Sequence, residues 1–139
     1  MKPAAGEAGS VLFLAAVPYA DCLSGRTRHL ADGLAARGWR VVFCGRPSLQ
    51  SWWKGADRPP RPAAGVACVR LLPCPGFPRF HDRLPGRLYR RVVSKRIGRA
   101  LGPEGPDVTI VSTPWWAPFL DEFPAGGIVY DCLDHPSVH

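Results

Sequence analysis

The sequence predicts an α/β fold: an open, mostly parallel Rossmann-like sheet with flanking helices. Two observations carry the prediction. Short, continuous runs rich in Val, Leu, Ile and Phe recur along the chain and suit strands buried on both faces. Segments with apolar residues at helical spacing lie between them, giving the order β-α-β-β-α-β-α-β. The 139 residues are a length for one domain, and 46% hydrophobic with 21% charged residues excludes a disordered tail, a collagen-like chain and a coiled coil. The 15 glycines and 16 prolines predict long, kinked loops.

Taken in order, Ser10 to Val17 (SVLFLAAV) is the first strand, stopped by Pro18. Gly25 to Arg37 follows as a helix with Leu30, Ala31, Leu34 and Ala35 on one face, Ser24 as its N-cap and Gly38 just past its end. Trp39 to Cys44 is the second strand, so the opening is a right-handed βαβ unit. An irregular stretch, Gly45 to Gly65, leads to a third strand, Val66 to Leu72. After a Pro-rich loop, Leu84 to Leu101 is a basic amphipathic helix with Leu88, Tyr89, Val92, Val93, Ile97, Ala100 and Leu101 as its apolar face, ended by Gly102 and Pro103. Asp107 to Ser112 is the fourth strand, Trp115 to Phe123 a short helix and Gly127 to Leu133 the fifth strand, again as a core strand. No helix follows the last strand to cover the sheet, which reads as a single, incomplete N-terminal domain over residues 1–139.

No apolar run approaches the ~20 residues that span a bilayer. The first residues lack the pattern of a signal peptide, so the chain reads as cytoplasmic. Cys22, Cys44, Cys68, Cys74 and Cys132 are odd in number, widely spaced and without a CxxC pair, which reads as free structural thiols. Cys132, His135 and His139 have the spacing of three metal ligands, but the sequence places no fourth, and neither a metal nor another cofactor is expected.

The net charge of +7 is local: residues 79–99 hold eight cations against Asp82 alone, and the remainder is neutral. Arg87, Arg91, Lys95 and Arg99 repeat every four residues and form one basic stripe. The stripe is either a solvated face or a surface for an anionic partner. No helix-turn-helix, zinc finger or RNA-recognition motif accompanies it, so an anionic membrane surface is preferred to nucleic acid.

In open α/β sheets ligands bind beyond the carboxyl ends of the strands, and three segments qualify. The loop after the first strand brings Ser24, Gly25, Arg26, Arg28 and His29 to a helix N-terminus, where backbone N–H groups and the helix dipole attract anions. It is neither GxGxxG nor GxxxxGK[ST], which disfavours an NAD-type or ATP-type loop. The loop after the fourth strand holds Thr113, Trp115 and Trp116; two adjacent tryptophans do not both point into one core, so either one lies near a cleft, where it would stack on a sugar or base, or one is in the core and the other at the surface through packing alone. The fifth strand ends in Asp131, Asp134 and His135, groups able to orient or deprotonate an acceptor hydroxyl, with strand-end capping by Asp131 as the alternative.

Four stretches resemble the N-terminal domain of the GT-B glycosyltransferases of the retaining, family-4-like kind, in particular bacterial teichuronic-acid and related cell-surface polysaccharide glycosyltransferases. They are VLFLAAVPYADCLSGRTRHLADGLAARGWRVVFCG, PDVTIVSTPWWAPFLDEFP, IVYDCLDHPSVH and the Arg-rich helix, which together cover most of the chain. Where the family often has Gln-Arg-Pro before the first helix's His, this chain has Gly25 to Arg28; where it has a second Asp after the last strand, this chain has His135. The resemblance implies transfer of a sugar from a nucleotide-sugar donor to a lipid-linked or polysaccharide acceptor, with retention and without a metal. It also implies a second Rossmann-like domain for the donor, which these residues do not contain, and a location peripheral on the inner face of the plasma membrane. Two other classes fit the pattern less closely: another nucleotide-binding Rossmann enzyme, such as an epimerase or dehydrogenase, and a non-enzymatic basic binding module.

Overall fold

The computed structural model describes residues 8–19, 25–47, 62–73 and 86–131. Five parallel strands form one open sheet: β1 (Ser10–Ala15), β2 (Arg40–Gly45), β3 (Val66–Cys68), β4 (Val108–Val111) and β5 (Gly127–Tyr130). Their order across the sheet is β3-β2-β1-β4-β5. Helix α1 (Arg26–Ala36) connects β1 to β2, α2 (Arg87–Leu101) precedes β4, and a 3₁₀ helix (Pro114–Glu122) connects β4 to β5. The fold is the α/β, Rossmann-like one that the alternation predicts.

The period of two along each strand divides the core into two layers. Val11, Phe13, Ala15, Val41, Phe43 and Ile110 pack beneath α1 with Ala31 and Ala35. Leu12, Leu14, Val42, Cys44 and Val111 pack on the opposite face with Val93, Ile97 and Leu101 of α2 and with Trp116 and Phe119. The helix α1 ends as Gly38 predicts. Gly38 takes φ +85°, its N–H donates to Ala35 at 2.9 Å, and Trp39 N–H donates to Leu34 at 3.1 Å. This paired arrangement satisfies the last carbonyls and turns the chain into β2.

Five sequence expectations need correction. The N-cap of α1 is Gly25, in extended backbone and without a side-chain capping bond, and Ser24 lies outside the described residues. The third strand stops at Cys68: the Val69 N–H still reaches the Phe43 carbonyl of β2 at 2.8 Å, but beyond it the chain serves α2, with Arg96 donating to the Arg70 carbonyl at 2.9 Å and Tyr89 to the Leu72 carbonyl at 2.6 Å. On α2 the apolar face is narrower than predicted. Leu88 is 78% and Val92 42% exposed: at about 100° per residue Val92 lies about 100° and Leu88 about 140° around the helix from Val93, the nearest member of the buried line Val93, Ile97 and Leu101. The short helix is 3₁₀ because Pro118 has no N–H to give the Pro114 carbonyl in an α-helical ladder. Strand β5 is an edge strand, not a core one: Ile128, Val129 and Tyr130 are 54%, 50% and 52% exposed. An apolar run does not by itself distinguish a central strand from an edge.

Candidate functional site at the carboxyl edge of the sheet

The chain leaves β1 for β2 on one side and later places β4 on the other, so the strand order reverses between β1 and β4. The carboxyl ends of these two strands flank the crevice where ligands of such sheets bind. Helix α1 starts above it. The Gly25 carbonyl accepts from Arg28 N–H at 3.1 Å and His29 N–H at 3.2 Å. The N–H groups of Arg26 and Thr27 have no acceptor among the described residues, and the first turn holds no acidic side chain. The positive end of α1 is therefore uncompensated by its own sequence, which is the electrostatic condition for attracting an anion.

Arg26 reaches from α1 to the end of β5, where Nη2 lies 3.2 Å from Asp131 Oδ1. The two partners differ sharply: the Arg26 side chain is 72% exposed and that of Asp131 only 8%. The Asp131 N–H donates to the Val111 carbonyl at 2.8 Å and so fixes the residue to β4. Its second oxygen, Oδ2, is buried without a hydrogen-bond partner among the described residues. Ser112, at the end of β4, is likewise buried, and its hydroxyl also has no partner among the described residues. Nothing in the sequence singles out Ser112 as a site residue beyond its position at the end of a predicted strand.

The other predicted site residues are distributed differently. Arg28 does not face an open cleft. Its guanidinium lies 4.5 Å from the Tyr19 ring centroid and its Nε is 3.7 Å from Asp32 Oδ2. Tyr19 in turn donates its hydroxyl to Asp32 Oδ1 at 2.6 Å, so this trio ties the loop after β1 to the body of α1. Burial, and next the hydrogen bond to Asp32, raise the Tyr19 pKa above its ordinary value. The Arg28–Asp32 spacing was visible in the sequence; the participation of Tyr19 was not. His29 is exposed on α1. Thr113 is the N-cap of the 3₁₀ helix and makes no side-chain capping bond.

The tryptophans enter one core after all. Trp116 is fully buried and donates Nε1–H to the Ala15 carbonyl at 2.9 Å, at the end of β1. Trp115 is half-buried against the same cluster, with its ring edge-on to Trp116 at 4.7 Å and tilted on Phe119 at 5.6 Å. Tyr89 packs edge-on to it at 6.4 Å, and the Arg46 guanidinium sits 6.0 Å from its centroid. The perpendicular geometry of the pair is what lets both rings share one cluster. Trp115 therefore stands at the carboxyl edge but over the α2 face, whereas Arg26 and Asp131 meet on the α1 face. Asp134 and His135 lie outside the described residues, as do Cys22, Cys74, Cys132 and His139.

The described thiols are poorly suited to nucleophilic work. Burial pushes Cys44 far above the ordinary thiol range and Cys68 up to about 11. Among the described residues, no three His, Cys, Asp or Glu side chains come together as a metal site, and no helix is long and apolar enough to cross a membrane. All four cations of the predicted stripe, Arg87, Arg91, Lys95 and Arg99, are exposed. A shallow concavity of about 430 Å³, lined by Lys95, Glu104, Gly105 and Glu122 among others, lies at the amino edge of the sheet, away from the strand ends that form the crevice.

Comparisons with protein-family models, with curated proteins and with solved structures give no match to this chain.

Proposed function

We propose that this chain forms the acceptor-side half of a two-domain glycosyltransferase of the GT-B kind, which transfers a sugar from a nucleotide-sugar donor to a hydroxyl of a lipid-linked or polysaccharide acceptor. The observation that carries the reading is the Arg26–Asp131 pair at an α1 N-terminus without a side-chain cap, at the end of β5, one strand from the point where the strand order reverses between β1 and β4. One end of that site suits a phosphate and the other a hydroxyl, the two chemical groups that glycosyl transfer from a nucleotide-sugar brings together. The resemblance of the β1–α1–β2, β4 and β5 stretches to that family supports the same reading. The absence of a glycine-rich dinucleotide loop counts against a dehydrogenase or epimerase.

On this reading α2 is the surface that docks on the membrane carrying the acceptor. Its outer side combines the four exposed cations with exposed Leu88 and Val92, the mixture of charge and apolar area that favours an anionic interface. Each cation at such a surface contributes about 1 kcal/mol, screened over a Debye length of about 8 Å at physiological salt. Flotation with anionic vesicles, with and without an embedded lipid-linked sugar, tests both parts. The chain should float with anionic vesicles at low salt, float better when the lipid-linked sugar is present, and stay in solution when Arg87, Arg91, Lys95 and Arg99 are all replaced by Gln. Indifference to the lipid-linked sugar would remove acceptor binding, and flotation of the fourfold variant would reduce the stripe to a solvated face. The donor is held by a second domain on this reading, so turnover of a nucleotide-sugar by these 139 residues alone would overturn the division of labour.

A further inference from the structure

We infer that the ends of β4 and β5 form a hydroxyl-binding subsite, in which Ser112 Oγ and Asp131 Oδ2 hold one hydroxyl of a sugar whose phosphate lies at the N-terminus of α1; the choice of a sugar phosphate as ligand rests on the glycosyltransferase reading above.

The placement follows from strand register. Val111 pairs with Tyr130, so Ser112 and Asp131 are the next matched positions on neighbouring strands, which run about 4.8 Å apart. Val111 belongs to the α2 layer, and alternation turns both Ser112 and Asp131 to the α1 side. The ion pair with Arg26 of α1 agrees with that orientation. On β1 the neighbouring position is Ala15, whose small side chain leaves the floor beside Ser112 low. A row of strand ends thus presents a methyl, a hydroxyl and a carboxylate beneath the open end of a helix.

The chemistry selects the ligand. Ser112 is 9% and Asp131 7% exposed, and each keeps a buried oxygen without a partner among the described residues. Buried polar atoms are nearly always bonded, and leaving one unbonded is costly. Because Arg26 already balances the Asp131 charge through Oδ1, the vacant Oδ2 suits a neutral donor better than a second cation. A serine hydroxyl both donates and accepts. A sugar hydroxyl satisfies both at once, donating to Asp131 Oδ2 and accepting from Ser112 Oγ. The exposed remainder of the Arg26 guanidinium and the N–H groups of Arg26 and Thr27, which have no acceptor among the described residues, are the donors for the phosphate. Thr109 Oγ1 is also buried without a partner, but it lies within β4 on the α2 side and takes no part.

Titration of the whole chain with inorganic phosphate, glucose and α-glucose 1-phosphate, followed by calorimetry, tests the subsite. The sugar phosphate should bind about tenfold or more tightly than inorganic phosphate, as expected for one added pair of hydrogen bonds of which one is to a charge. S112A and D131N should bring that ratio close to one while phosphate affinity is kept, and R26Q should weaken both anions. S112A removes a single atom and decides the matter where D131N fails to fold. Equal affinity for the two anions in the unaltered chain, or an unchanged ratio in S112A, would overturn the subsite. The outcome is separable from the proposed function: a chain that shows the ratio yet ignores a lipid-linked sugar keeps the subsite and loses the glycosyltransferase reading, and the reverse result loses only the subsite.

Discussion

Each edge of the sheet carries an aspartate that reaches across to another element, and the two are built in opposite ways. At the amino edge Asp107 is exposed, yet its Oδ2 accepts the Ser10 N–H at 2.7 Å and lies 3.1 Å from the Ser10 hydroxyl, which also reaches the Gly105 carbonyl at 3.1 Å. The Asp107 N–H donates to the Ser10 carbonyl at 2.9 Å, closing the clamp between β1 and β4. At the carboxyl edge Asp131 is buried, but one of its oxygens and the Ser112 hydroxyl beside it are unbonded. A structural clamp satisfies itself even where water would have served. Unsatisfied polar groups where water is scarce are costly, and on the proposed function that difference separates the edge that holds the sheet together from the edge that would take a ligand.

The largest effect that would sharpen this contrast concerns a satisfied contact at the carboxyl edge. Trp116 fills the α2 layer and bonds the Ala15 carbonyl from within it. Replacement by alanine should cost about 3–5 kcal/mol, seen as a lower urea midpoint with little change in slope, because it opens a large cavity and removes one of the two N–H donors to the Ala15 carbonyl, leaving the Arg46 N–H at 3.0 Å. A loss below about 1 kcal/mol would mean that the 3₁₀ helix is not part of the core.

A smaller and more direct test compares two serines. Ser10→Ala removes bonds that are made and should cost about 1–2 kcal/mol. Ser112→Ala removes a buried hydroxyl that makes none, and should be neutral to about 1 kcal/mol stabilising, the usual sign where a site is held ready at the expense of stability. Equal losses in the two variants, measured by urea unfolding, would show that the Ser112 hydroxyl is engaged in the folded protein and would erase the distinction between the edges.

How far the sequence could be read follows the same division. The strands β1 and β2, the helix α1 and its glycine stop were legible because burial on two faces and helical spacing leave strong one-dimensional signatures. The exposure of Ile128, Val129 and Tyr130 was not, since edge position depends on strand order, which no local pattern records. At the site, Arg26 and Asp131 stood out as charged residues at strand and helix ends, but the roles of their neighbours did not. Arg28 looked equally available until Tyr19 and Asp32 were seen to hold it, and Ser112 was an ordinary strand-end serine until register set it beside Asp131. Local chemistry nominates residues; the long-range pairing of parallel strands decides which of them meet.

The smallest expected effect lies at the amino edge and is read in pH. The backbone N–H and then the hydroxyl of Ser10 stabilise the charged form of Asp107 and lower its pKa below the ordinary carboxylate value. A carboxyl with a depressed folded pKa contributes stability that is fully present above its unfolded value of about 3.9 and is lost as pH falls through the folded value. Melting temperatures recorded from pH 6 to pH 2 should therefore fall in the unaltered chain partly through this group. In D107N the group no longer titrates, so that variant should melt lower near neutrality and lose less on acidification, the two curves converging at the acid end. Because Asp107 is exposed, water and salt screen the contribution, and added salt should narrow the gap between the curves. Curves that stay parallel down to pH 2 would show that the Ser10 clamp does not depend on the Asp107 charge, and the amino edge would then be held by its backbone bonds alone.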